Sequence, residues 1–156
     1  MSKTIEPTFS HEDTKVLKRE VVYEGHLKVE RIEVKNKLFD GGWSKPYWRE
    51  CMVRHQVVTV LLYDPRLEQV VLNEQFRVGC LDNEHGPWML EVTAGISDKP
   101  GESLEEVAIR EVYEETGLRV NHLSKIANYW VSPGGTAERV QMFCAIVDAS
   151  QAGGVF

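Results

Sequence analysis

The chain has 156 residues, and 18 Lys+Arg against 24 Asp+Glu leave a formal net charge of −6. That length makes one domain, or one domain with an appendage, and a chain of about 150 residues buries roughly two thirds of its unfolded surface. With 42% apolar and 27% charged residues the composition is that of a globular protein, which excludes disorder, collagen and disulfide scaffolds.

The acidic balance argues against nucleic acid as a partner, because such binding needs clustered cations to displace counterions. The three cysteines, Cys51, Cys80 and Cys144, are far apart and odd in number, with neither metal-ligand spacing nor a disulfide framework. No segment approaches the roughly 18 apolar residues of a membrane span, and the opening MSKTIEPTFSHEDTK has no signal-peptide core. The expectation is a cytoplasmic protein with no membrane partner.

Residues 1 to 18 are polar and aperiodic and read as a loose arm, with room for a helical turn within 11–19. From Arg19 to Met52 the pattern favours strands: REVVYEG, then LKVERIEVKNKLF with Leu27, Val29, Ile32 and Val34 roughly alternating, a DGG turn at 40–42, and WSKPYWRECM. Three short strands bury little by themselves, so this small antiparallel sheet must lean on the rest of the chain or on a second copy. The domains expected are 1–54, arm and small sheet, and 55–156. In the second, VVTVLLY is a continuous apolar run suited to a strand covered on both faces. The turn at Asp64-Pro65-Arg66 leads into EQVVLNEQF, making a hairpin. A polar loop from Asp82 to Pro87 precedes a short strand, WMLEV; a helix over Leu104–Thr116 and strands near 126–131 and 139–147 follow. Strands with one strong helix between them indicate a mixed α/β fold.

The helix carries the chemistry. Ser103 and Glu106 form an S-x-x-E capping box, and Gly117 suits a left-handed position after the last turn. At about 100° per residue from Leu104, Val107 falls near −60°, Ala108 near +40° and Val112 near +80°, which defines the buried stripe. Glu111 falls near −20° and Glu115 near +20°, in the middle of that stripe. Two glutamates at i, i+4 repel, and burying them ionised and unpaired costs several kcal/mol. Both lie near the helix C-terminus, where the dipole disfavours negative charge. Arg110 lies on the flank, placed to pair with Glu114 and not between the two; a hard divalent cation fits the gap. The alternative is that the last turn emerges into water and the glutamates are a solvated face.

The segment AGISDKPGESLEEVAIREVYEETGL, residues 94 to 118, resembles the Nudix box, G-x5-E-x7-R-E-U-x-E-E-x-G-U with U a bulky aliphatic residue. Glu102 is followed after seven residues by Arg110-Glu111-Val112, then Glu114-Glu115 and Gly117-Leu118. One departure is visible: six residues, not five, separate Gly95 from Glu102, an insertion that touches the loop and not the helix. The resemblance extends over most of the chain from about Arg19. The N-terminal sheet, the LEVTAG before the box, SPGGTAER after it, and Pro133 fifteen residues beyond Leu118 are similar to the ADP-ribose pyrophosphatase branch.

That resemblance implies a Nudix α/β/α sandwich built on a mixed sheet, and a homodimer whose N-terminal sheets exchange between subunits. It implies metal-dependent hydrolysis of the pyrophosphate bond in a nucleoside diphosphate sugar, with ADP-ribose giving AMP and ribose 5-phosphate. The Ala94 carbonyl, Glu111 and Glu115 are the implied ligands of Mg2+, or of Mn2+, with Glu114 as a further or water-mediated ligand or a catalytic group. Arg110 would hold the glutamates in their rotamers, and Glu102 would do the same or bind metal. Arg77, in NEQFR, matches an arginine near the pyrophosphate; Glu138 and the Gly134-Gly135 turn match the region contacting the terminal ribose. Trp48, with Trp43 and Tyr47, offers an aromatic face for a base, although each also suits a core or an interface. The branch places its base on an acidic loop beyond the last matched strand. No carboxylate follows Asp148 here, so the expectation is that the base lies past Phe156 and that the chain is short at its C-terminus. Two other readings stay open: a UDP- or GDP-sugar pyrophosphatase, and a nucleotide-sugar binding module without turnover.

Overall fold

The computed structural model describes residues 6–154, which divide into two units, 6–54 with 132–137, and 55–131 with 138–154. In the first unit β1 (Thr14–Glu24), β2 (Lys28–Asn36) and β3 (Tyr47–Val53) make an antiparallel sheet in the order β1-β2-β3. Of the loose arm expected over residues 1–18, residues 1–5 lie outside those described, and from His11 on the expectation fails. Ser10 caps a single 3-10 turn at His11–Asp13, and the chain then enters β1 at Thr14. The polar composition of that stretch hid the strand because its partner lies some twenty residues on: Thr14 faces Asn36 and Lys15 faces Lys35. Segment 132–137 runs beside β3, where Met52 donates to the Gly135 carbonyl and Ala137 donates to that of Met52, both at 2.9 Å. On β1, Val16, Leu17, Val21, Val22 and Tyr23 are all exposed.

The second unit holds β4 (Val57–Asp64), β5 (Gln69–Val71), β6 (Asn73–Phe76), β7 (Trp88–Glu91), β8 (Thr93–Ile96), α1 (Leu104–Thr116), β9 (His122–Trp130) and β10 (Arg139–Ile146). β4 is the hub of a mixed sheet: β10 lies parallel to it, β5 and β8 pair with it antiparallel, and β9 lies antiparallel on the far side of β10. β6 and β7 form a separate antiparallel pair. Along β4, Val58, Val60, Leu62 and Asp64 are fully buried, whereas the alternate residues are only half-buried. Coverage is thus complete on one face only, where Val107, Ala108 and Val112 of α1 meet Val58, Val60, Leu62 and Phe143 in the core. No helix among the described residues is long and apolar enough to cross a membrane.

The helix ends where its chemistry dictates. The Ser103 hydroxyl accepts from the Glu106 amide at 3.3 Å and the Glu106 carboxylate accepts from the Ser103 amide at 2.8 Å. At the other end Gly117 sits at φ 68° and donates to the Tyr113 carbonyl, closing the helix in a left-handed conformation that a side chain would strain.

Asp64 is a buried carboxylate with a structural task. It accepts from the amides of Arg66 at 2.8 Å, Leu67 at 3.3 Å and Ala149 at 2.8 Å, tying the β4 turn to the segment after β10. The Ala149 amide above all holds this carboxyl below its ordinary value, against the opposing effect of burial. A depressed carboxyl contributes stability above its unfolded pKa, about 4, and loses it as pH falls through the lower folded value. Asp64→Asn should therefore unfold at lower urea than the parent at pH 7, and the gap should narrow at pH 3. Denaturant titrations at the two pH values check this.

Candidate active site

The site is assembled on one face of α1 and on β6 and β8. Glu111 and Glu115, one turn apart, are both half-buried; Glu114 leaves 54% of its side chain in water. The solvated-face alternative therefore describes Glu114 alone. Arg110 binds three carboxylates at once. Its Nε and Nη2 donate to the two oxygens of Glu102 at 2.9 and 3.1 Å, and its Nη1 donates to Glu111 Oε1 at 2.7 Å and to Glu114 Oε2 at 3.0 Å. These charge-assisted bonds hold Glu102 below the ordinary carboxyl range and push Arg110 up, Glu102 contributing most.

Glu115 is held by neutral donors, and the Arg77 charge acts on it without a hydrogen bond between them. Its Oε2 accepts from Asn73 Nδ2 at 2.7 Å and from the Ala94 amide at 3.3 Å, and its Oε1 accepts from Gln75 Nε2 at 3.3 Å. Burial raises its pKa, with the nearby Glu111 charge adding to the rise and the Gln75 and Ala94 donors and the Arg77 charge opposing it. Arg77 follows β6 and is held by Glu91, with Nε at 2.8 Å and Nη2 at 2.5 Å from Glu91 Oε2; this pairing, more than any other effect, raises its pKa. An open cavity of about 600 Å³ is lined by Asn73, Gln75, Trp88, Glu111, Glu114 and Glu115 among others.

The second unit thus brings together Ala94, Glu102, Arg110, Glu111, Glu114 and Glu115. Arg77 lies at the end of the strand that holds Glu115, and Glu138 immediately precedes β10. Gly134, Gly135 and Trp48 belong to the first unit. There Trp48 lies opposite Glu33 on β2, with the Arg31 guanidinium 4.3 Å from its ring centroid. Sequence reasoning passed over Asn73, Gln75 and Glu91. The signal was present in NEQFR, where Asn73, Gln75 and Arg77 share strand parity, but nothing in a single sequence says which helix they face.

Among the described residues no group of three or more His, Cys, Asp or Glu side chains stands ready to hold a metal ion by itself. The donor set nevertheless fits a hard divalent cation, since carboxylate oxygens a turn apart and backbone carbonyls are what such ions take, and water completes the shell. Close approach of backbone is built in. A Cβ on Gly95 would lie 2.1 Å from Glu111 Cγ and 2.2 Å from its Cδ, so only glycine lets β8 pass this close to the carboxylate.

Comparison with known proteins agrees with the architecture. The NUDIX domain family matches residues 53–153. An ADP-ribose pyrophosphatase of Haemophilus influenzae is 40% identical over 150 residues, spanning 94% of this chain and 69% of that protein. One from Escherichia coli is 37% identical over 148 residues, spanning 95% and 70%. A GDP-mannose pyrophosphatase of Cronobacter sakazakii is 41% identical over 113 residues, spanning 69% and 58%. The solved structure of an ADP compounds hydrolase superposes with a TM-score of 0.69 at 22% identity over 93% of this chain and 70% of that one, a likeness of fold. The chain belongs to the NUDIX family. Within it the resemblance read from the sequence, to ADP-ribose pyrophosphatases, is the one these relatives carry, and the protein is a hydrolase.

Gly95→Ala tests the packing of β8 on the helix. The atoms in the way belong to a side chain, so Glu111 should swing aside at little cost in melting temperature. Divalent-metal affinity should fall about ten- to hundredfold, the range seen when a ligand's supports are disturbed. Calorimetric titration beside a thermal melt checks both.

Proposed function

We propose that this protein hydrolyses the pyrophosphate bond of a nucleoside diphosphate sugar, ADP-ribose before others, to AMP and ribose 5-phosphate. The observation that carries the proposal is the pair of half-buried carboxylates, Glu111 and Glu115, facing the backbone of β8 in a chain 37–40% identical to ADP-ribose pyrophosphatases. Glu111, Glu115 and the Ala94 carbonyl would hold Mg2+, or Mn2+, with Glu114 as a further or water-mediated ligand. The ion's chemistry there is to acidify bound water and to neutralise charge on phosphoryl oxygens. Arg110 keeps Glu102, Glu111 and Glu114 in fixed rotamers. Arg77, steadied by Glu91, is set to donate to phosphate oxygens, and Glu138 to accept from a sugar hydroxyl. A second reading, a GDP-sugar substrate, is favoured by the Cronobacter relative.

We also propose a homodimer joined through the first unit. Its support is β1, an eleven-residue strand at one end of the sheet order, with Val16, Leu17, Val21 and Val22 exposed at 46–53%. A long, apolar edge strand is a template for pairing with another chain. The three free cysteines suit a reducing compartment, and we place the protein in the cytoplasm.

Glu111→Gln and Glu115→Gln should each cut metal-dependent turnover by on the order of 10³-fold, because several kcal/mol of charge stabilisation is lost. Melting temperature should hold or rise, since one repelling charge is gone. Undiminished metal affinity in both variants would refute the ligand assignment. In a substrate panel ADP-ribose should be hydrolysed faster than GDP-mannose or ATP; the opposite ranking against GDP-mannose selects the second reading.

Light scattering at micromolar concentration should give the mass of two chains, and Val21→Lys should give one. A parent that scatters as a single chain overturns the dimer.

A further inference from the structure

Asn73 and Gln75 stand two apart on β6 and are half-buried, while Glu74 and Phe76 between and beyond them are exposed. Both amides turn to Glu115, one to each carboxylate oxygen, with Asn73 the shorter at 2.7 Å. The Asn73 amide also reaches the hydroxyl of Thr93 at 3.3 Å, and Thr93 is buried on β8. The Nδ2 group has only two hydrogens, so a contact to Glu115 and one to Thr93 use both and fix the amide's orientation. Glu115 is in turn fixed at both oxygens, and the Ala94 amide adds a third donor from β8.

The choice of donor matters. A lysine or arginine at position 73 would neutralise Glu115 and compete with any cation. An apolar residue would leave a half-buried carboxylate free to rotate and short of donors. A neutral amide orients the carboxylate and leaves its charge in place. We propose that Asn73, seconded by Gln75, is a positioning residue that presets the Glu115 carboxylate for a divalent cation. The proposal rests on the reading of Glu115 as a metal ligand.

The test uses the full chain and Mn2+ alone, with the free ion counted by electron paramagnetic resonance. Asn73→Leu, branched at the same position and without donors, should weaken Mn2+ binding about ten- to hundredfold, and Gln75→Leu less. In a Glu115→Gln background, Asn73→Leu should cause no further loss, because Asn73 acts only through Glu115. An equal loss in both backgrounds would mean a general packing role and would overturn the proposal. Parent-like affinity in Asn73→Leu, with Glu115→Gln weakened, overturns the positioning role and leaves the ligand reading standing. Parent-like affinity in Glu115→Gln removes the ligand reading and the proposal together. Should Asn73→Leu fail to fold, Gln75→Leu takes its place in the same comparison.

Discussion

Two like charges, half-buried one turn apart near the C-terminal end of a single helix, set the terms for everything around them. Glu111 and Glu115 repel each other, the helix dipole adds to the cost, and the sheet beneath removes much of their water. A folded protein keeps such a pair only if donors are brought to it from elsewhere. Those donors come from three places: the flank of the helix itself in Arg110, the strand β6 in Asn73 and Gln75, and the backbone of β8 at Ala94. Three carboxylates, Glu102, Glu111 and Glu114, share one guanidinium and Glu115 has only neutral donors, so the cluster stays net negative after all its internal bonds are made.

The remaining architecture holds that cluster still. Capping at Ser103 and the left-handed Gly117 fix the length of α1, while Val107, Ala108 and Val112 fix its rotation against β4. Rotation decides which residues face the sheet, and the two glutamates follow the apolar stripe inward. Gly95 then decides how near β8 comes, because a side chain there would occupy the space of the Glu111 carboxylate. Asp64 fastens the far end of β4 by the same means, backbone amides converging on a buried carboxylate.

Legibility in the sequence followed the range of the interactions. The helix could be read to the residue because its signals, the capping box, the 3.6 period and the terminal glycine, all lie within a few positions of one another. The place of Glu111 and Glu115 on its inward face followed from the same period. Most strands came through, but β8 did not, EQVVLNEQF divides into β5 and β6 in different sheets, and the strand ends shifted: β1 begins at Thr14 because of pairing with residues near 36, and no local pattern announces that. The both-face burial read from VVTVLLY is half right, since a continuous apolar run does not say how many layers cover it. Asn73 and Gln75 were illegible for the opposite reason to the glutamates. An amide on a strand is ordinary anywhere, and its meaning here comes from a helix forty residues on.

The two carboxylates are also supported differently, and the difference has chemical content. Glu111 is bound by a cation, Arg110, which is itself tied to Glu102 by two bonds and cannot leave without breaking them. Glu115 is bound only by neutral N–H groups. A carboxylate already paired with a guanidinium offers an incoming cation less charge but a fixed lone pair. One held by amides keeps its full charge and carries the desolvation cost, which is why its protonation is favoured relative to an ordinary glutamate. The pair therefore combines a neutralised, rigid donor with a charged, desolvated one. An apolar or fully ion-paired helix face would make the more comfortable fold; retaining the tension at Glu115 leaves the protein stabilised by whatever cation relieves it.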